Sequence, residues 1–317
     1  MSGAATGLDH VGVAVPDLDA AAAEWAALGF TVQPLAAHMD NGMPTGTVGQ
    51  GVPTGTVGRG VPTGTVAQGV PTGTGNRNIM LREGYIELLA TIDPARPSAT
   101  IARFIAHHIG AHVLTLAIGD EDAALARLGR AGFSAGIARS ARPADPASPQ
   151  GPQGPQASFA RIPLADADPR LQLLRHLTPE LVWQERFLSH PNRARALREV
   201  IVAADPPAGF AARLARAAGV PVVPDPQGGL ALRLAGGVVR VLAPDAAARL
   251  LPGAAARLLP GAAARLLPGA VIPALPAILG LVVQTDDVNA AVAAQLGLAG
   301  TGKLVGYASG VAVLFTA

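Results

Sequence analysis

Apolar and polar positions alternate over residues 7–15, GLDHVGVAV. Val11, Val13 and Val15 make one side, and Leu8, His10, Gly12 and Ala14 the other. A period of two in β-branched residues predicts a half-buried strand. Asp17 or Asp19 can cap a helix over residues 20–28, with Gly29 just past its end. Residues 30–35, 79–82 and 85–91 predict three further strands, the last two joined by a turn at Glu83-Gly84. The order β-α-β-β-β then recurs three times. HVLTLAIGD, REVIVAAD and LGLVVQTDD open the later copies, each an apolar strand ending in Asp before an Ala-rich helix. GYIELLA, PRLQLLR, GVVRVLA and GVAVLFT align as four closing strands, although in the fourth copy the second strand is weak. A helix over residues 178–189, capped by Thr178, should join the second copy to the third. The pattern predicts an α+β protein of four βαβββ modules.

Short repeats interrupt this plan. From Gly42 a nine-residue unit runs four times (GMPTGTVGQ, GVPTGTVGR, GVPTGTVAQ, GVPTGTGNR), and from Ala246 AAARLLPG runs three times. Solenoid units are usually ~20 residues or longer with a buried face. These tracts therefore read as an expanded loop over 36–75 and an expanded linker over 246–269. The Pro- and Gly-rich first tract is too poor in bulky side chains to offset its ordering cost, so it should be mobile and dispensable. The organisation expected is a module pair over residues 1–180, a linker helix over 181–191 and a second, degenerate pair over 192–317.

Composition narrows the function classes. The chain is 50% hydrophobic and 15% charged, too apolar to be disordered. A net charge of +2 with dispersed basic residues argues against a nucleic-acid partner. With no cysteine, disulfides, Cys-ligated metals and a Cys nucleophile are excluded. No signal peptide and no apolar run of spanning length are present, so no membrane partner is expected and a cytoplasmic protein is the default.

Alternation puts His10 on the side away from the helix. In the strand over residues 85–91, Ile86, Leu88 and Ala90 suit the helix face, so Tyr85, Glu87 and Leu89 share the face of His10. A Glu within an apolar strand is costly to bury unpaired. His and carboxylate together suit a divalent metal, and a hydrogen-bonded pair without metal is the alternative. Arg77 could hold an anionic substrate, or be an exposed loop-end residue. Arg198 and Arg240 occupy the third-module positions matching His10 and Glu87, a register that could make an anion pocket, with two solvated arginines as the alternative. His107 and His108 end a predicted helix over 97–109, where a cation suits the dipole.

DHVGVAVPDLDAAAAEWAALGF, GTGNRNIML and GYIELL, with HLTPELVW and HPN further on, resemble the vicinal oxygen chelate superfamily, which includes glyoxalase I and extradiol dioxygenases. The strongest similarity is to its glyoxalase-like bacterial proteins. The resemblance implies modules paired into two curved-sheet halves, each pair around a cavity. It implies a divalent metal (Zn, Mn, Fe or Ni) with His10 and Glu87 as ligands, and Tyr85, Arg77 and Gln172 lining the substrate pocket. The other modules depart from the ligand pattern. Val113, Arg198 and Leu279 match His10, and Gln172, Arg240 and Val313 match Glu87. His112 falls one residue early unless a bulge intervenes, and His176 could turn inward. The implied function is metal-assisted chemistry on a small oxygenated metabolite, of lyase, isomerase or dioxygenase type. The alternative is a metal-free protein of the same fold that binds or sequesters a small molecule, and the sequence leaves open whether it is an enzyme. The second half reads as a scaffold or dimerisation partner, which allows a homodimer.

Overall fold

A computed structural model describes residues 3–40, 70–164, 167–251, 274–293 and 305–317. The first module runs β1 (Ala5–Ala14), α1 (Leu18–Ala27), β2 (Ala36–Asp40), β3 (Val70–Met80) and β4 (Tyr85–Thr91). Helix α2 (Ala99–His107) leads to the second: β5 (Gly110–Ile118), α3 (Glu121–Arg130), β6 (Ala138–Pro143), β7 (Gln156–Leu164) and β8 (Arg170–His176). After α4 (Pro179–Val182) the third comprises β9 (Ala194–Ala203), α5 (Pro207–Ala218), β10 (Val222–Pro224), β11 (Leu230–Leu234) and β12 (Gly237–Leu242). Helix α6 (Pro244–Leu250) precedes the fourth: β13 (Ala277–Thr285), α7 (Val288–Ala293), β14 (Val305–Ala308) and β15 (Val311–Thr316). The weak second strand expected in that module lies outside the described residues.

Pairing makes two curved halves. β1 is parallel to β4 and antiparallel to β5, and the path β4-β3-β2-β6-β7-β8-β5 returns to β1 as a closed ring. Among the described residues the other half is an open sheet, β10-β11-β12-β9-β13-β15-β14, and meets the ring where Ile278 pairs with Ala111. Alternation sorts the faces as expected. Val11, Val13, Val15, Ile86 and Leu88 face outward into an apolar layer that continues through Val200, Val202 and Leu281 of the second half. Each fully buried side chain of this size contributes roughly 1.5–3 kcal/mol, so this outer layer carries the fold and leaves the ring interior free for polar groups. Asp17 caps α1 by accepting from the backbone N–H groups of Asp19 and Ala20, and Gly29 ends it at φ 82°.

Three expectations need correcting. Residues 31–35 are irregular, and the second strand begins at Ala36. The last repeat copy is not loop. It forms the first half of β3, with Val70 opposite Asp40 and Asn76 opposite Ala36. Its Pro71 sits near the ladder's end, where a missing donor costs least. The expanded loop is thus shorter than 36–75, and what was expected of residues 41–69 lies outside the described residues. The same holds for residues 252–273 of the second tract, whose first copy completes α6.

The linker helix is the third. Only α4 and a 3-10 turn over Glu185–Phe187 form. The chain breaks at Trp183, whose indole N–H donates to the Leu81 carbonyl at 3.0 Å. Thr178 does not cap: its hydroxyl accepts from the Ser158 N–H instead. Packing of this segment against Tyr85, Phe159 and Leu174 at one end of the ring outweighs its helix propensity. At the other end, Ile101 and Phe104 of α2 pack on Ala14 and Val113. Helix α2 thus packs at one end of the ring and this segment at the other.

Candidate functional site

His10 and Glu87 do meet inside the ring, with His10 Nε2 3.5 Å from a Glu87 oxygen. His10 is 2% exposed and stacks on Tyr85 at 4.3 Å between ring centroids. Alternation alone would send its neighbour Asp9 to the opposite face. The β1–β5 register slips between Leu8 and His10, and this bulge at Asp9 lets both side chains share a site. Asp9 Oδ1 lies 2.6 Å from His10 Nδ1, and its Oδ2 2.9 Å from His176 Nε2. Burial alone would raise the Asp9 carboxyl, but the hydrogen bonds from His10 and His176 outweigh it and hold it at about 2.

An ionised Asp9 only accepts, so Nδ1 of His10 carries the proton it donates. In the neutral ring Nε2 is then the acceptor. The Thr115 hydroxyl, 3.0 Å away, supplies the donor, and Gln172 Nε2 donates in turn to Thr115 Oγ1 at 3.3 Å. Gln172, Thr115, His10 and Asp9 thus form one continuous run of contacts. Glu87 accepts from Asn76 Nδ2 at 2.6 Å, with His38 Nε2 3.8 Å from the same oxygen. Burial pushes the Glu87 carboxyl up, and the His38 and His10 imidazoles with the Asn76 amide more than reverse this, to about 2. Burial, with the Asp9 and Glu87 charges, raises the Tyr85 phenol and keeps its proton in place.

The arrangement as it stands does not complete a divalent-metal site. Among the described residues no group of three or more His, Cys, Asp or Glu side chains is placed to hold one. His10 and His38 approach different oxygens of Glu87, and the lone pair on His10 Nε2 is already used by Thr115. Zinc sites normally take three or four protein ligands.

Tyr85 and Gln172 thus stand beside His10, whereas Arg77 does not. Asn76 and Asn78 point inward on β3, so Arg77 between them points outward, to Asp19 at 2.5 Å and the Gln33 carbonyl. Reading 36–75 as loop hid the strand phase that separates these residues. Arg198 and Arg240 form no anion pocket: Arg198 pairs with Glu83, and Arg240 with Glu199 and Asp225. His112 sits at a second slip in the β1–β5 register and stacks on Phe104, outside the His10 group. His108 is no helix-end cation: burial, then the nearby His112 and His107, pull it down to about 3. Sequence reasoning missed Asp9, Thr115, Asn78 and Arg142. For Asn78 a signal existed, the N-x-N spacing opposite Glu87.

A cleft of about 260 Å³ opens where the halves meet and reaches Asp9 and His176. Leu8, Trp183, Leu197 and Gly236 form its walls. No helix among the described residues is long and apolar enough to cross a membrane.

The family model described as a glyoxalase-like domain matches residues 8–218. No curated protein matches the sequence. Among solved structures, a hypothetical protein from Staphylococcus aureus is 11% identical, with 98% of each chain covered and a TM-score of 0.61. A mutant of 4-hydroxymandelate synthase from Streptomyces coelicolor is 16% identical over 92% of this chain and 74% of that one, with a TM-score of 0.52. A xylose isomerase-like TIM barrel/4-hydroxyphenylpyruvate dioxygenase fusion protein is 15% identical over 93% of this chain and 39% of its own, at 0.50. At such identities the likeness is one of fold.

Proposed function

The chain belongs to the glyoxalase-like domain family of the vicinal oxygen chelate superfamily, and on that premise we propose that its first ring takes in a small oxygenated molecule and exchanges a proton with it at His10. The observation that carries this reading is the continuous run of contacts from Gln172 through Thr115 and His10 to Asp9. It orients the ring, with Nδ1–H donating to the Asp9 carboxylate, and turns Nε2, the basic atom of the neutral ring, to the interior. A carboxylate that holds Nδ1–H stabilises the imidazolium formed when Nε2 takes a proton. A ligand oxygen or an acidic C–H replacing the Thr115 hydroxyl at Nε2 would meet that base. Tyr85, still protonated, adds a wall that stacks on His10. A molecule entering by the cleft at the seam meets His176 and Asp9 first.

The experiment is deuterium exchange at the C–H beside the carbonyl of small 2-oxo acids, followed by NMR in D₂O. Catalysed exchange is expected that survives chelator treatment and falls at least 100-fold in His10→Gln. Exchange lost on chelation, or unchanged in His10→Gln, defeats the reading.

One observation favours a second reading, a cation shared by His10 and Glu87: their facing atoms are 3.5 Å apart, a spacing two ligands of one ion can adopt. It requires Thr115 to release Nε2 and a third donor to arrive. Protein purified without chelator would then hold about one divalent ion per chain, lost in His10→Ala and in Glu87→Ala.

A further inference from the structure

Arg142 is the side chain that this ring does not explain. It lies on β6, two residues from Ser140 and opposite Ala157, and is 5% exposed. Its guanidinium sits 5.8 Å from the centre of the Phe159 ring. Nη2 is enclosed and has no hydrogen-bond partner, and no carboxylate among the described residues lies within ion-pair distance. Arg240 is answered by Glu199 and Asp225, Arg198 by Glu83 and Arg127 by the Arg216 and Ala217 carbonyls, while Arg170, whose Nε is also enclosed without a partner, at least reaches the Thr100 hydroxyl. A buried cation without a counter-charge is costly, and an anion arriving from outside would relieve that cost.

Its surroundings say what kind of partner. In the ring order β1-β4-β3-β2-β6-β7-β8-β5, β6 lies four strands from β1 in either direction, which places Arg142 across the interior from the His10 group. Near Glu87 the Asn76 and Asn78 amide oxygens are also enclosed and unpartnered. One wall of the ring thus carries an unanswered guanidinium, and the facing wall carries two carboxylates flanked by imidazoles. We propose that Arg142 receives the carboxylate of the ligand, so that the ring's substrate class is a small organic acid whose second oxygen, a hydroxyl or keto group, faces His10. A planar carboxylate matches the guanidinium fork. The Asp9 and Glu87 charges opposite penalise a dianion more than a monoanion, which favours carboxylate over phosphate. This inference rests on the reading of the ring as a ligand site.

The test uses the full chain and three probes at up to tens of millimolar: 2-oxobutanoate, its methyl ester and inorganic phosphate. Tm is followed with each, in wild type, Arg142→Met and Arg142→Lys. The acid should raise the wild-type Tm and the ester should need at least tenfold higher concentration for the same rise. Arg142→Met should abolish the response to the acid, and Arg142→Lys should weaken it severalfold. Without ligand, Arg142→Met should melt at or above the wild-type Tm, because an unpaired buried charge is gone; a merely structural arginine would lower it. An acid response that survives in Arg142→Met, or in Arg142→Lys should Arg142→Met not fold, overturns the assignment while leaving the ring a ligand site. Stronger binding of phosphate or ester than of acid overturns the ligand class. No response of the wild type to any probe overturns the ring as a ligand site altogether.

Discussion

Glu121 opens α3 with 6% of its surface exposed, and Arg175 and Arg139 reach its two oxygens at 2.7 and 2.9 Å. The Arg175 hydrogen bond is the main reason its carboxyl drops from 4.5 to about 2. A lowered acid pKa contributes stability that is present above the unfolded value and lost as pH falls through the folded one. The window here runs from about pH 4.5 down to about 2. Arg175 is half exposed, so solvent screening leaves about 1 kcal/mol or less. Glu121→Gln is expected to lose that amount at pH 7 and to flatten the acid limb of a stability–pH curve across this window. An acid limb as steep as that of the wild type would show that Glu121 is not its source. Asp9 has the same lowered pKa for another reason, two imidazoles in place of two guanidinium groups.

At the scale of elements, α2 packs at one end of the ring through Phe104, which is 1% exposed, stacks on His112 at 4.6 Å and takes Arg103 and Arg170 over its face. Phe104→Ala should cost about 3–5 kcal/mol in urea denaturation, the usual penalty for emptying a closed aromatic site. A loss below 1 kcal/mol would make α2 a loose cover. How far these elements could be read in advance follows from the rules they obey. The Val11, Val13, Val15 and Ile86, Leu88, Ala90 stripes were legible because each strand keeps its period through that stretch. They put His10, Tyr85 and Glu87 on one face, and Gln172 followed by module alignment. Asp9 was not legible, because a bulge is an exception to the period that nothing in the sequence DH announces. Which of Asn76 and Arg77 faces the ring was not legible for want of a strand phase in the repeat. Arg142 looked unremarkable because solvent and interior arginines read alike until the fold buries one.

For the whole molecule, the two halves do not have separate cores. Trp25 and Phe30 of the first module pack with Phe315 of the fourth, the Trp25 indole N–H donates to Ser309 Oγ, and Glu24 accepts from the Ser309 backbone. On the other flank Arg127 of α3 donates to the carbonyls of Arg216 and Ala217 at the end of α5. Shared burial of this kind couples unfolding. Scanning calorimetry should therefore give one transition, and two resolved peaks would mean that the halves melt separately.

The β2–β3 register carries a consequence for the history of the gene. Asp40 pairs with Val70, and Val70 is the same point of the repeat unit as Met43, three units earlier. Removing residues 48–74 would bring Met43 opposite Asp40 and leave Asn41-Gly42 between the strands, the pair of residues that a tight two-residue hairpin favours. The following residues would still read PTGTGNRN, the stretch that now carries Asn76 and Asn78 into the ring. Loop closure predicts a change of about 1 kcal/mol or less, so the shortened chain should fold with nearly unchanged Tm; failure to fold would make the tract structural. Copying errors that add or drop whole units would thus alter the length of the chain while leaving the same point of the repeat unit opposite Asp40.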